Sequence, residues 1–197
     1  MPYEEQLEIK RQVLHSQLER IGKFDDPPVA ATIPSPSAWQ ARNHLQFSLS
    51  PQGELGFMAA GSDQVVPIHE CFLPESDLAD LWPRFTAEPG LPFHRLGMRV
   101  GDDGQAMITL LSNEDPSIEM ELDLPASIVW LGPGGAAVLA GEGFLTHTIN
   151  GRPFRISAGS FFQVNTGLAG GLVDHAMKVL EPQPGQTILD LYAGAGL

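Results

Sequence analysis

The chain has 197 residues, 43% of them apolar, one cysteine, and a formal net charge of −13 from 11 basic and 24 acidic side chains. That length suits one large domain or one domain plus part of another; a lone thiol excludes an internal disulfide framework, and no apolar run reaches the roughly 18 residues of a membrane span. The acidic balance taken alone weighs against nucleic acid as a partner, since neutralising phosphate takes clustered cations, but it leaves a local basic groove open.

Residues 3–22 read as a helix, with Leu7, Leu14, Leu18 and Ile21 on one face and Gly22 as its stop. Residues 25–38, rich in Pro, Ser and Asp, read as an extended linker. In 42–50, Leu45, Phe47 and Leu49 alternate with His44, Gln46 and Ser48; Pro51-Gln52-Gly53 then turns the chain into a second strand, a β-hairpin. Residues 65–68 form a short strand candidate, and 75–85 a short helix through Leu78, Leu81 and Trp82, with Ser76 as its cap. Asp102-Asp103-Gly104 joins two strands, 94–101 and 106–112, as a tight hairpin. Residues 127–132, 136–141 and 144–149 continue as strands, and Asn150-Gly151 turns into 152–159. Most of 42–160 is therefore expected to be antiparallel β-structure.

After Gln163 the period changes. Leu168, Leu172, Ala176, Val179 and Leu180 recur at helical spacing behind Asn165 or Thr166 as N-cap, and 182–185 ends the helix. Residues 187–192, TILDLY, read as a short apolar strand that opens onto Ala193-Gly194-Ala195-Gly196-Leu197. A strand ending in Gly-x-Gly brings a ligand close to bare backbone, which marks the start of an α/β domain.

Two segments carry chemistry. In Ser160-Phe161-Phe162-Gln163-Val164-Asn165 the Gln163 amide offers a donor and an acceptor, as a uracil edge or a cofactor carboxylate requires, and a neighbouring aromatic can stack on a base. The plainer alternative is an edge strand with two core phenylalanines. In the second segment, Asp190 two residues before Tyr192, followed by Gly194 and Gly196, completes L-D-L-Y-A-G-A-G, which resembles the nucleoside-binding motif of S-adenosylmethionine-dependent methyltransferases. The histidines other than His44 (His15, His69, His94, His147 and His175) show no metal-binding spacing.

In that order, F-x-Q-x-N, a helix of about four turns and L-D-L-Y-x-G-x-G resemble the RNA (uracil-5-)-methyltransferase family, which makes 5-methyluridine in ribosomal or transfer RNA. Residues 6–22, Trp39 with Arg42 and Asn43, 55–71 and 149–165 extend the likeness over nearly the whole chain. The fold class it implies is α+β: a mostly antiparallel β central domain with a few helices, then the first helix and strand of a Rossmann-like methyltransferase domain. The expected divisions are an N-terminal helix, 1–24; a central domain, 25–158; and the start of the methyltransferase domain, 159–197.

The resemblance also assigns residues. It gives cofactor contacts to Gln163, Tyr192, Gly194 and Gly196, and RNA contacts to Phe161, Gln163, Arg42 and Asn43. Ala41 and His44 stand where the family has an aromatic and a Lys or Arg, and Leu197 where some members have a polar cofactor contact. Cys71 falls where many members place the fourth ligand of a [4Fe–4S] cluster; with one thiol this chain cannot hold such a cluster alone. In the family a cysteine adds to uracil C6, C5 takes the methyl group, and a base removes the C5 proton. Those catalytic groups lie downstream of the glycine loop, so the chain is expected to be a piece of the enzyme, inactive alone and prone to self-association through an unpaired apolar end. No export leader or membrane span is visible, which makes the cytoplasm the default expectation. Two other readings stay open: a non-enzymatic RNA-binding or scaffold module, and a nicotinamide-dependent Rossmann enzyme with a completed G-x-G-x-x-G.

Overall fold

The structure is a computed structural model that describes residues 1–116 and 126–197. The chain divides into two compact units, Met1–Ala38 and Trp39–Leu197.

In the first unit, α1 spans Tyr3–Arg20, with Glu4 and Glu5 in its first turn and Arg20 in its last, as the helix dipole favours. Arg11 forks onto Glu8 at 2.9 and 2.7 Å. The hydrogen bond from Arg11, helped by one from Gln12, brings the Glu8 carboxyl down to about 2. The apolar face expected of this helix is no core: Leu14 and Ile21 are exposed, and the helix buries no residue. The stretch read as a linker runs back along the helix instead. Thr32 Oγ1 donates to the Leu7 carbonyl at 2.9 Å, and the Ser35 amide to Tyr3 Oη at 2.8 Å. Asp26 at the start of the same stretch also meets His15 of the helix at 3.4 Å.

The second unit is a mixed α/β fold around a large sheet. Its strands are β1 (His44–Leu49), β2 (Leu55–Met58), β3 (Val65–Pro67), β4 (Arg95–Val100), β5 (Ala106–Leu111), β6 (Ala126–Gly132) and β7 (Gly135–Ala140), in the order β3-β2-β1-β4-β5-β6-β7. β8 (Phe144–Ile149) and β9 (Arg152–Ser157) form a separate hairpin. The expected antiparallel pairing holds except between β5 and β6, which run parallel from Ala106↔Ala126 to Leu111↔Leu131.

Alternation sorts the side chains onto two faces. Leu45, Phe47, Leu96, Met98, Val100, Ile108, Leu110, Ile128 and Trp130 share one buried cluster with Leu78, Leu81, Trp82 and Phe93. The first two of these latter residues come from α2 (Ser76–Leu81). The helix expected over 75–85 stops at Leu81 and tightens into a 3-10 turn, Trp82–Arg84, because Pro83 lacks the amide that would continue it. Ser76 is not its cap; Glu75 holds that position without a side-chain bond. On the opposite face of the sheet, Met107 and Val129 pack against Leu145 of the β8–β9 hairpin.

α3 spans Thr166–Leu180; Asn165 caps it by accepting from the Leu168 amide at 3.2 Å. Only Ala169 of this helix is buried, and Leu172, Val179 and Leu180 lie exposed. The strand expected at 187–192 is not formed: these residues pair with no strand, and Ile188, Leu189, Leu191 and Tyr192 face solvent. Such a strand is stable when neighbours cover both its edges and both its faces, and no described strand lies beside it.

Candidate functional site

Residues 159–164 cross the open face of the sheet, and three separate ties hold them there. The first is Asn43, at the entry to β1. Its amide donates to the Val164 carbonyl at 2.8 Å and its Nδ2 to the Gln163 carbonyl at 3.1 Å, while its own carbonyl accepts from the Val100 amide at 3.1 Å. The second is Phe162, 2% exposed and stacked on the His147 ring at 5.3 Å and 6°. His147 Nδ1 meets Asp102 Oδ1 at 2.8 Å, and the other Asp102 oxygen accepts from the Thr148 amide. Burial alone would raise the Asp102 carboxyl; the hydrogen bonds from His147 and Thr148 outweigh it and hold the group below its usual range. The third tie is Arg99 of β4, whose Nη1 donates to the Ser160 carbonyl at 3.3 Å.

Anchoring Phe162 inward turns its neighbours outward. Phe161 is 70% exposed and Gln163 is half-buried. Between this segment and the sheet lies a cleft of about 460 Å³. The strands line it with His44, Gln46, Gly97, Arg99 and Thr109, and Phe161 closes one side. Arg99 is only 6% exposed. Its Nη2 stands 3.4 Å from His44 Nδ1. Burial, then the charges of Arg99 and Arg42, push the His44 ring down to about 4, and burial lowers Arg99 as well. At neutral pH the cleft therefore presents one guanidinium beside a neutral imidazole.

The glycine loop approaches the same segment. Ala195 and Leu197 pack on the cluster of Ile149, Ile156, Phe162 and Ala169. Gly194 and Gly196 hold positive φ, 61° and 80°, and a Cβ on Gly194 would lie 3.8 Å from the Phe161 carbonyl. Phe161, Gln163, Gly194 and Gly196 are thus neighbours or near-neighbours around one anchored segment. Tyr192 is not brought in: its side chain is fully exposed. Arg42 is exposed and forms an isolated bridge with Pro74. Asn43, expected to face RNA, is 0% exposed and acts as the tie that sets Gln163. The sequence reading missed Arg99, although β4 signals it: Leu96, Met98 and Val100 alternate inward, which puts Gly97 and Arg99 together on the other face.

Cys71 is half-buried against the apolar cluster on the far face of the sheet from the cleft. Among the described residues no three His, Cys, Asp or Glu side chains gather as a metal site. A four-thiolate cluster does not fit these residues. Among the described residues, no helix is long and apolar enough to cross a membrane.

No protein-family model matches the chain. Among curated proteins it is 26% identical, over 98% of its length and 44% of the relative's, to an uncharacterized RNA methyltransferase of Streptomyces coelicolor. It is 28% identical, over 98% of its length and 50% of the relative's, to another from Gloeobacter violaceus. Among solved structures it is similar to the Pyrococcus abyssi tRNA (uracil-54, C5)-methyltransferase in complex with S-adenosyl-L-homocysteine, with a TM-score of 0.68 and 23% identity over 98% of this chain and 52% of that one. The chain spans about half the length of the relatives it matches. Over nearly its whole length the chain is thus similar to RNA methyltransferases, and in fold to a tRNA (uracil-54, C5)-methyltransferase, in keeping with the resemblance its motifs carry.

Proposed function

We propose that this chain is part of an S-adenosylmethionine-dependent enzyme that methylates C5 of a uridine in ribosomal or transfer RNA. The observation that carries the reading is the match to RNA methyltransferases across 98% of the chain. In this reading, 159–197 begins the methyltransferase domain and 25–158 forms the central domain. A cytoplasmic location goes with it.

The residues at hand fit a cofactor approaching bare backbone. Gly194 and Gly196 hold positive φ, which glycine adopts without strain, and a Cβ on Gly196 would meet nothing within 4 Å, so bare backbone faces open space there. Gly194, Gly196 and the Gln163 amide would hold S-adenosylmethionine, which supplies an electrophilic methyl group when bound. Gln163 orients the uracil edge, since its amide can donate and accept at once. Phe161 stacks on a base. Arg42, exposed beside Asn43, meets a phosphate. Asn43 and Phe162 hold Gln163 in place, because a side chain that orients a reacting base is useful only when its own backbone is fixed.

The chain alone does not carry the reaction in this proposal. Its one thiol, Cys71, packs against the opposite face of the sheet and does not reach the cleft. That face assignment also removes Cys71 as a nucleophile toward uracil C6. The exposed apolar residues at 188–191 favour self-association of the isolated chain.

Gln163→Leu in the whole enzyme tests the reading. Transfer of radiolabelled methyl groups to a uridine-containing RNA is expected to fall by about a hundredfold or more, as when an orienting hydrogen-bond group is lost. Wild-type turnover in that variant would refute the role given to Gln163. Absence of methylation by the wild-type enzyme on every uridine RNA would favour the binding or scaffold reading instead.

A further inference from the structure

The cleft holds a cation to which the described residues give no counter-charge. Arg99 is 6% exposed and makes no ion pair among the described residues. Its two polar contacts, the Ser160 carbonyl at 3.3 Å and His44 Nδ1 at 3.4 Å, are both uncharged acceptors, and its Nε has no partner. Burying a guanidinium without a carboxylate is unfavourable, and an aliphatic side chain would fill the same strand position more stably. Among the described residues, no acidic side chain lines this cleft. Gly97 opens the floor beside Arg99: a Cβ there would lie 3.3 Å from His44 Nε2 and 3.5 Å from Thr109 Cβ. Gln46 and Thr109 add neutral hydrogen-bonding groups, and the exposed Phe161 ring stands at the edge.

The geometry points to this cleft as a binding site for one nucleotide of single-stranded RNA, with a phosphate oxygen on Arg99 and the base against Phe161. It rests on the RNA-methyltransferase reading and adds to it a subsite built on the sheet of the central domain. Guanidinium is suited to this task because its planar fork matches phosphate oxygens, and aromatic stacking accepts any base. The nucleotide held here is one that positions the strand, since Arg99 reads charge and not base identity.

The test uses the 197-residue chain and a fluorescently labelled single-stranded uridine pentanucleotide at low salt, read by anisotropy. Arg99→Met keeps the length and apolar stem and removes the charge; binding is expected to weaken at least about tenfold, the scale of one charged hydrogen bond. Gln46→Glu sits on an exposed position, leaves folding alone and places a carboxylate at the cleft; it is expected to weaken binding too, with the loss shrinking as salt is raised. Circular dichroism checks that each variant is folded. If Arg99→Met unfolds, Gln46→Glu decides alone. Pentanucleotide affinity equal in the wild type and the folded variants overturns the Arg99 site while leaving the RNA reading intact. No binding of the pentanucleotide, uridine monophosphate or inorganic phosphate by the wild type overturns the site as well. Arg99-dependent binding of uridine monophosphate or phosphate, without the pentanucleotide, shows an anion site and overturns its assignment to RNA, while the methyltransferase reading stands or falls on methyl transfer by the whole enzyme.

Discussion

The two faces of the seven-stranded sheet are made by the same strands and differ in kind. One is dry and closed: Phe47 lies 5.4 Å from Trp82, Phe93 meets Trp130 edge-on at 6.3 Å, and the one polar atom of Trp130 donates to the Glu114 carbonyl at 2.8 Å. The other carries His44, Gln46, Arg99 and Thr109 around a cleft. Among the described residues, the buried side-chain nitrogen and oxygen atoms without a partner are Asn43 Oδ1, Arg99 Nε and His147 Nε2. All three belong to residues that tie down 160–163, through the Gln163 carbonyl, the Ser160 carbonyl and the Phe162 ring. A core satisfies its polar groups because each orphan is destabilising. Unsatisfied groups gathered around one segment show where stability has been given up for placement of side chains.

The largest contrast should come from breaking the closed face. Trp130 is 0% exposed, so Trp130→Ala is expected to cost about 3–5 kcal/mol in urea unfolding and to leave little soluble protein. A loss below about 1 kcal/mol would mean that this cluster is not the core of the unit.

An intermediate effect belongs to the open face and to pH. His44 titrates at about 4 in the folded chain against an ordinary value of 6.5, so the native state prefers the neutral ring. Between these values the unfolded chain binds a proton that the folded chain does not. The contribution is therefore fully present above pH 6.5 and is lost as the pH falls toward 4. About 2 kcal/mol is expected across that window, after allowance for the ring's partial exposure. His44→Gln should flatten this part of the stability curve; identical curves for the two proteins would contradict the burial of His44 beside Arg99.

The smallest effect should come from Tyr192, whose side chain is fully exposed. Tyr192→Ala is expected to shift stability by less than about 0.5 kcal/mol. A larger loss would show that 187–192 packs against the body of the protein.

Much of the sheet was legible in the residues. The alternation of Leu45 and Phe47 with His44 and Gln46, the Asp-Asp-Gly and Asn-Gly turns, and the change of period after Gln163 each reflect a local rule: pleat direction, positive φ at a turn, or helical spacing. The parallel pairing of β5 with β6 was not legible, because strand neighbours are chosen by tertiary packing and leave no local signature. The candidate site divides the same way. Phe161, Gln163 and the two glycines stood out by residue type, but nothing local says that Phe162 anchors on a His147–Asp102 pair or that Asn43 points inward.

By itself, then, the sequence determined which side of each strand is apolar, where the chain turns, and which short motifs resemble those of RNA (uracil-5-)-methyltransferases. These follow from properties that a residue and its near neighbours carry into any context. Only the tertiary structure decided that Arg99 lies buried in a cleft that no carboxylate of the described residues lines, that the strip at 27–35 runs back along α1, and that an apolar stretch such as 187–192 stays unpaired. The reason is physical: burial, charge pairing and strand partnership are relations between segments distant in sequence, and their energies exist only once those segments meet.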